Sequence, residues 1–142
     1  MMTPRDTTTG AVLEQMVIPS LMHVGYSYKT QVHIGCRLGG GRHVVDVLAE
    51  DGVGNKIIIS LKWQQVSGTA EQKVPFEAMC LAETILSSDN DYQKAYLVLG
   101  GGGWKLREFY TGGGLDRHLR HSNLVHIVTL EDFIAKANQG WL

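Results

Sequence analysis

A chain of 142 residues is long enough to bury one hydrophobic core without staples and is expected to form a single domain over residues 1–142. With 44% hydrophobic and 19% charged residues it is not a disordered tail, and no apolar run reaches the roughly 20 residues a membrane helix needs. Cys36 and Cys80 form no Cys-x-x-Cys pair, which excludes a zinc ribbon and a disulfide scaffold, and the net charge of -1 argues mildly against a nucleic-acid partner.

The polar stretch Met1 to Gly10 lacks an apolar signal core, and with two free thiols this points to a cytoplasmic protein. Thr7, Thr8 and Thr9 offer N-caps for a first helix over about residues 8–23, carrying Glu14 and meeting Pro19 as a kink or stop. Residues 31–38 alternate and predict a strand, turned by Gly39, Gly40 and Gly41 into a second strand over 42–50. The Asp51 to Asn55 segment is a hairpin turn, followed by a β-branched third strand over 56–64. Thr69 is placed to cap a second helix running to about Ser87, with Ser88 to Tyr92 as a polar loop. A fourth strand (94–99) ends in four glycines, Gly100 to Gly103, followed by short helical segments over 104–110 and 116–121. A fifth strand (124–130) and a closing helix (131–138), with Gly140 past its end, complete the chain. The order, α-β-β-β-α-β-α-β-α, predicts an α/β fold with a central mixed sheet of about five strands flanked by helices.

In the third strand Ser60, Lys62 and Gln64 share one face, and Ile57, Ile59, Leu61 and Trp63 the other. A polar stripe in an apolar strand is costly unless it is used or solvated. If the hairpin is symmetric about Val53, Asp46 faces Ser60 and lies diagonal to Lys62; a one-residue slip would break this. A carboxylate beside a lysine suits phosphodiester hydrolysis. Carboxylate oxygens are hard ligands for Mg²⁺, the ion activates water, and the ammonium orients that water or neutralises charge. Glu14 is a candidate second carboxylate. The plainer alternative is a solvated Asp–Lys pair of little energetic consequence.

Asp46 followed by Ser60-Leu61-Lys62, set in this element order, resembles the PD-(D/E)XK nuclease superfamily. The resemblance implies a restriction-endonuclease-like core and a Mg²⁺-dependent endodeoxyribonuclease, with Mn²⁺ as a substitute ion. Glu14 would match the first-helix acid, Asp46 the metal ligand, Lys62 the catalytic lysine and Gln64 the polar residue beyond it. Val45 replaces the name-giving proline, and Ser60 stands where a second acid is usual. Some restriction and homing enzymes of this type carry Ser or Gln there, and a glutamate from the next helix takes over. Glu77 is favoured for that part over Glu71, with the Gln64 amide oxygen as another candidate. A homing or restriction-type enzyme is the expectation, with a Holliday-junction resolvase close behind. An inactive DNA-binding module and an RNA nuclease are the rivals. A dimer or tetramer would place paired sites on double-stranded or branched DNA.

Gln65, Ser67 and Lys73 flank the start of the second helix and are candidate DNA contacts, with Thr69 and Gln72 as a possible capping box. Lys105, Arg107, Arg117 and Arg120 follow the glycine run and are candidates for a basic DNA-facing edge. The glycines lack the Gly-Lys-Ser/Thr ending of a nucleotide loop and suggest a mobile loop or close approach to a DNA backbone. His118 and His121 lack a third zinc ligand.

Overall fold

The computed structural model describes residues 8–89 and 91–142; the proposed Thr7 cap lies outside them. The N-terminal helical segment runs as α1 (Thr8–Val12), a π-helical turn (Leu13–Val17) and α2 (Ile18–His23). Pro19 neither stops nor ends it. The wider turn just before the proline absorbs its missing N–H, and the Ile18 N–H reaches back to the Leu13 carbonyl.

Three antiparallel strands follow: β1 (Ser27–Cys36), β2 (Arg42–Glu50) and β3 (Lys56–Trp63). β1 begins four residues before the hydropathy alternation does, because Ser27 to Gln31 are exposed and carry no alternation to detect. Asp51 fastens the second hairpin, accepting from the Val53 and Asn55 N–H groups and from the Asn55 amide. The register is the symmetric one, Val47 opposite Ile59 through Glu50 opposite Lys56.

Helix α3 (Ala70–Ser87) then crosses to β4 (Tyr92–Gly100), parallel to β3, and α4 (Arg107–Thr111) leads to β5 (Val125–Thr129), parallel to β4. Helix α5 (Leu130–Asn138) closes the chain, its first turn capped by the Thr129 hydroxyl accepting from the Asp132 N–H. The sheet order is β1-β2-β3-β4-β5. No described helix is long and apolar enough to cross a membrane.

The middle strand is apolar because both faces are covered. Ile57, Ile59 and Leu61 join Val47, Ala49, Tyr96 and Val98 under α1, α2 and α5, around Phe133. Ile58 joins Val45, Leu97 and Leu99 under α3 and α4, against Val74, Leu81 and Tyr110. Burying each such side chain contributes about 2 kcal/mol.

Helix α3 does not start as expected. The Thr69 side chain makes no cap, and only its carbonyl is used, by the Gln72 N–H. Pro75 lies inside the helix and cannot donate to the Glu71 carbonyl one turn earlier. The Tyr110 hydroxyl donates to that carbonyl instead, at 2.7 Å, and the Glu71 carboxylate accepts from the Leu106 N–H at 2.8 Å. One helix defect is thus filled by the segment that α3 holds in place.

Candidate active site

The β2–β3 ladder ends at Val47 and Ile59. The next rung, Asp46 with Ser60, is not made, because the strands part there. The Asp46 carboxylate reaches across the gap and accepts from the Leu61 N–H at 2.7 Å. Side-chain alternation reverses at the same point: Val45 packs in the cluster under α3, whereas Val47 packs in the cluster under α1. On β1, Gln31 takes a left-handed φ of +52°, between the rungs Thr30–Val47 and Val32–Val45. Both strands of the hairpin therefore turn over together where Asp46 sits. That turnover, and not the strand pleat alone, aims Asp46 toward β3.

Half-buried Asp46 has its carboxyl pushed above the usual carboxylate range by burial, with the like charge of Glu77 adding to it. The Leu61 N–H and the Lys62 ammonium oppose that rise. Lys62 and Ser60 share the parity of Ile58 and so face α3.

Glu77 lies on the inner side of α3, with one oxygen 2.6 Å from Arg37 and the other 2.8 Å from His43 Nε2. Burial pushes its carboxyl up, but the hydrogen bonds from His43 and Arg37 and the charge of Lys62 outweigh that and hold it at about 2. His43 is fully buried, and its Nδ1 has no hydrogen-bond partner. Neither Arg37 nor His43 was foreseen from the sequence. His43 shares the parity of Val45, which marked it as an inward-facing polar group in need of a partner.

The structure thus brings Asp46, Lys62 and Glu77 into one electrostatic neighbourhood and leaves other candidates outside it. Glu14 is exposed on the π-helical turn, whose buried neighbours Leu13 and Val17 pack on the sheet face opposite α3. Glu71 is committed to the Leu106 N–H. Gln64 is buried, and its amide NH₂ donates to the Gly103 carbonyl, tying the loop after β3 to the loop after β4; Oε1 has no partner. Gln64 is therefore first of all a tether between two loops. Among the described residues, no three His, Cys, Asp or Glu groups gather closely enough to hold a metal ion, so the expected set of Asp46, Glu14 and Glu77 is not assembled.

The glycine run also has a different use from the one expected. A Cβ at Gly101 would overlap the Gln64 carbonyl, and one at Gly103 would lie 2.6 Å from the Val66 backbone. The close approach seen is to the chain's own backbone. Gln65, Ser67, Lys73, Lys105, Arg107, Arg117 and Arg120 are all exposed. The first two lie on the loop packed against these glycines.

A family model described as a PD-(D/E)XK nuclease superfamily domain matches residues 5–141. The chain belongs to the PD-(D/E)XK nuclease superfamily. The five-stranded mixed sheet between two helical layers is the restriction-endonuclease-like core, and a nuclease is the activity class of the PD-(D/E)XK family. No curated protein matches the chain. Two solved structures are similar at low identity. One, of a protein of unknown function, AF1548, has a TM-score of 0.49 and 16% identity over 80% of this chain and 54% of its own. The other, a repair endonuclease from Pyrococcus abyssi, has a TM-score of 0.42 and 14% identity over 89% of this chain and 46% of its own. The chain spans about half the length of each of them.

Proposed function

We propose that this chain is a divalent-metal-dependent endodeoxyribonuclease, with Mg²⁺ the natural ion and Mn²⁺ a substitute. The observation that carries the reading is the Asp46 carboxylate, set in the fork between β2 and β3 within electrostatic reach of Lys62. What supports a cation at the fork is the chemistry of Asp46 itself. Asp46 is a hard oxygen donor whose ionised form burial disfavours, and among the described residues the hydrogen bond to it is that of the Leu61 N–H to Oδ2. Mg²⁺ retains several waters, so one carboxylate with water and phosphate oxygens can complete its shell. A bound ion would supply Lewis acidity to a phosphoryl oxygen and acidity to water.

Asp46 holds the ion in this reading, and Lys62 orients the attacking water and offsets charge on the phosphate. Glu77 holds Lys62 in place from α3. Gln64 supports the end of β3, and Gln65, Ser67, Lys73, Lys105, Arg107, Arg117 and Arg120 contact the DNA backbone. A homo-oligomer, dimer or tetramer, would present paired sites to double-stranded or branched DNA, in keeping with a homing, restriction-type or junction-resolving enzyme.

The test is cleavage of supercoiled plasmid and of branched DNA with Mg²⁺, with Asp46→Ala and Lys62→Ala alongside. Metal-dependent nicking by the wild type and its loss in both variants is the expected result. Absence of nicking on every DNA substrate ends the enzyme reading, and cleavage of RNA alone makes the protein a ribonuclease. Ser60, with no three-ligand cluster among the described residues, favours one second reading: a nuclease fold retained for DNA binding alone.

A further inference from the structure

Helix α3 has a side that the core does not use. Its inner side packs on the sheet and carries Glu77. On its outer side Phe76, Met79, Glu83 and Leu86 recur at helical spacing and form one ridge. A surface helix ordinarily turns polar residues outward. Here the three apolar members of the ridge are exposed, Met79 at 42%, Phe76 at 46% and Leu86 at 51%. Beside the ridge lies a groove of about 420 Å³ between α3 and residues 118–122, lined by Leu38, Met79, Ala82, Leu86 and Leu119. Single exposed apolar side chains are ordinary, but an apolar ridge alongside an apolar groove marks a docking surface. Charge is divided across the groove. Glu83 stands on the α3 wall, and His118, Arg120 and His121 stand on the facing wall. Among the described residues neither Glu83 nor Arg120 is in an ion pair.

We propose that this face binds a second copy of the chain, in a two-fold pair in which the α3 ridge of each copy seats in the groove of the other. The inference gives the homo-oligomer of the nuclease reading a contact surface, and it holds whether or not the chain cleaves DNA. The occupant is argued from shape and charge. A two-fold axis running along α3 carries the ridge of one copy over the groove of the other, so one patch supplies both halves of a ridge-into-groove contact. The same rotation sets Glu83 of each ridge against the basic wall of the other copy, at Arg120, which makes the patch complementary to itself. A polyanion would instead meet Glu83 and an apolar ridge. Arg120, offered to DNA in the reading above, is by this assignment held by the second copy. The area is sufficient as well. α3 has 18 residues and is about 27 Å long, and a face of that length and about two helix diameters wide matches an interface of about 800 Å² per copy.

Sedimentation velocity of the full chain over a concentration series tests this. The wild type is expected to be a dimer with a Kd of about 10 μM or tighter. Met79→Glu and Leu86→Glu should each weaken the dimer more than about tenfold, since each puts a charge into the seated ridge. Glu83→Arg should weaken it about fivefold or more, and combining Glu83→Arg with Arg120→Glu should restore it, which a folding defect would not do. Met22→Glu, at an exposed apolar position on α2, should leave the dimer unchanged. Melting curves confirm that each variant is folded. A wild type that stays monomeric, or a dimer that Met79→Glu and Leu86→Glu leave intact, overturns the inference; plasmid nicking by the same protein leaves the nuclease reading standing. A monomer whose duplex binding falls with Arg120→Ala gives the face to DNA and also overturns it. A dimer that responds to these variants as expected but cleaves no DNA upholds the inference while the nuclease reading fails.

Discussion

Asp46 is held where its charge is unwelcome. Its carboxyl is raised, mainly by burial, so the metal-free fold is destabilised as pH rises above the ordinary carboxylate pKa. Asp46→Asn keeps an oxygen for the Leu61 N–H and removes the charge. It should abolish cleavage while raising the melting temperature at pH 7, by about 3 °C per kcal/mol recovered for a domain of this size. A lower melting temperature would mean that the charge is not a burden. Glu77 has the opposite sign. Its carboxyl falls from 4.5 to about 2, so its contribution is complete above about 4.5 and is lost as pH falls toward about 2. Glu77→Gln should flatten acid unfolding across that window. Glu77→Ala, which strands buried His43, should cost about 3 kcal/mol in denaturant melts, held to the low end by the partial exposure of Arg37. The β2–β3 register was legible in the sequence because a symmetric hairpin turn fixes it, whereas the turnover that aims Asp46 at β3 beyond the last rung was not. The hold of Arg37 and His43 on Glu77 was not, since it joins β1, β2 and α3 through side chains distant in the chain.

Secondary structure was legible wherever hydropathy had a period. β2, β3, β4 and α5 fall within a residue or two of their expected spans, and the hairpin register follows from Asp51 to Asn55. What pattern could not supply were defects repaired in three dimensions: the π turn before Pro19, and the Glu71 carbonyl released by Pro75 and taken up by Tyr110. The latter repair can be measured with a double-mutant cycle. Tyr110→Phe should cost about 1–2 kcal/mol by leaving a buried carbonyl unpaired. In a Pro75→Ala background the helix regains its own N–H, and the same change should cost clearly less. Equal costs in both backgrounds would mean that the tyrosine does not serve that carbonyl.

At the scale of the molecule, two helical layers enclose the sheet, and the polar site is confined to the fork where β2 leaves β3. If a divalent ion binds there and not to the unfolded chain, it stabilises the whole fold by mass action, by about 2.7 kcal/mol at a hundredfold excess over Kd. Thermal melts should therefore rise with added Mg²⁺ for the wild type and stay flat for Asp46→Asn; a parallel rise in both would place the ion elsewhere. The loops that leave β3 and β4 impose another condition. They lie backbone against backbone at Gly101 and Gly103, with Gln64 bonded across them. A single added methyl at either glycine would wedge the two strand ends apart and carry Lys62 away from its carboxylate. Substitution scanning should then find two silent-looking positions, bearing no functional group at all, that tolerate change as poorly as Asp46 and Lys62 themselves.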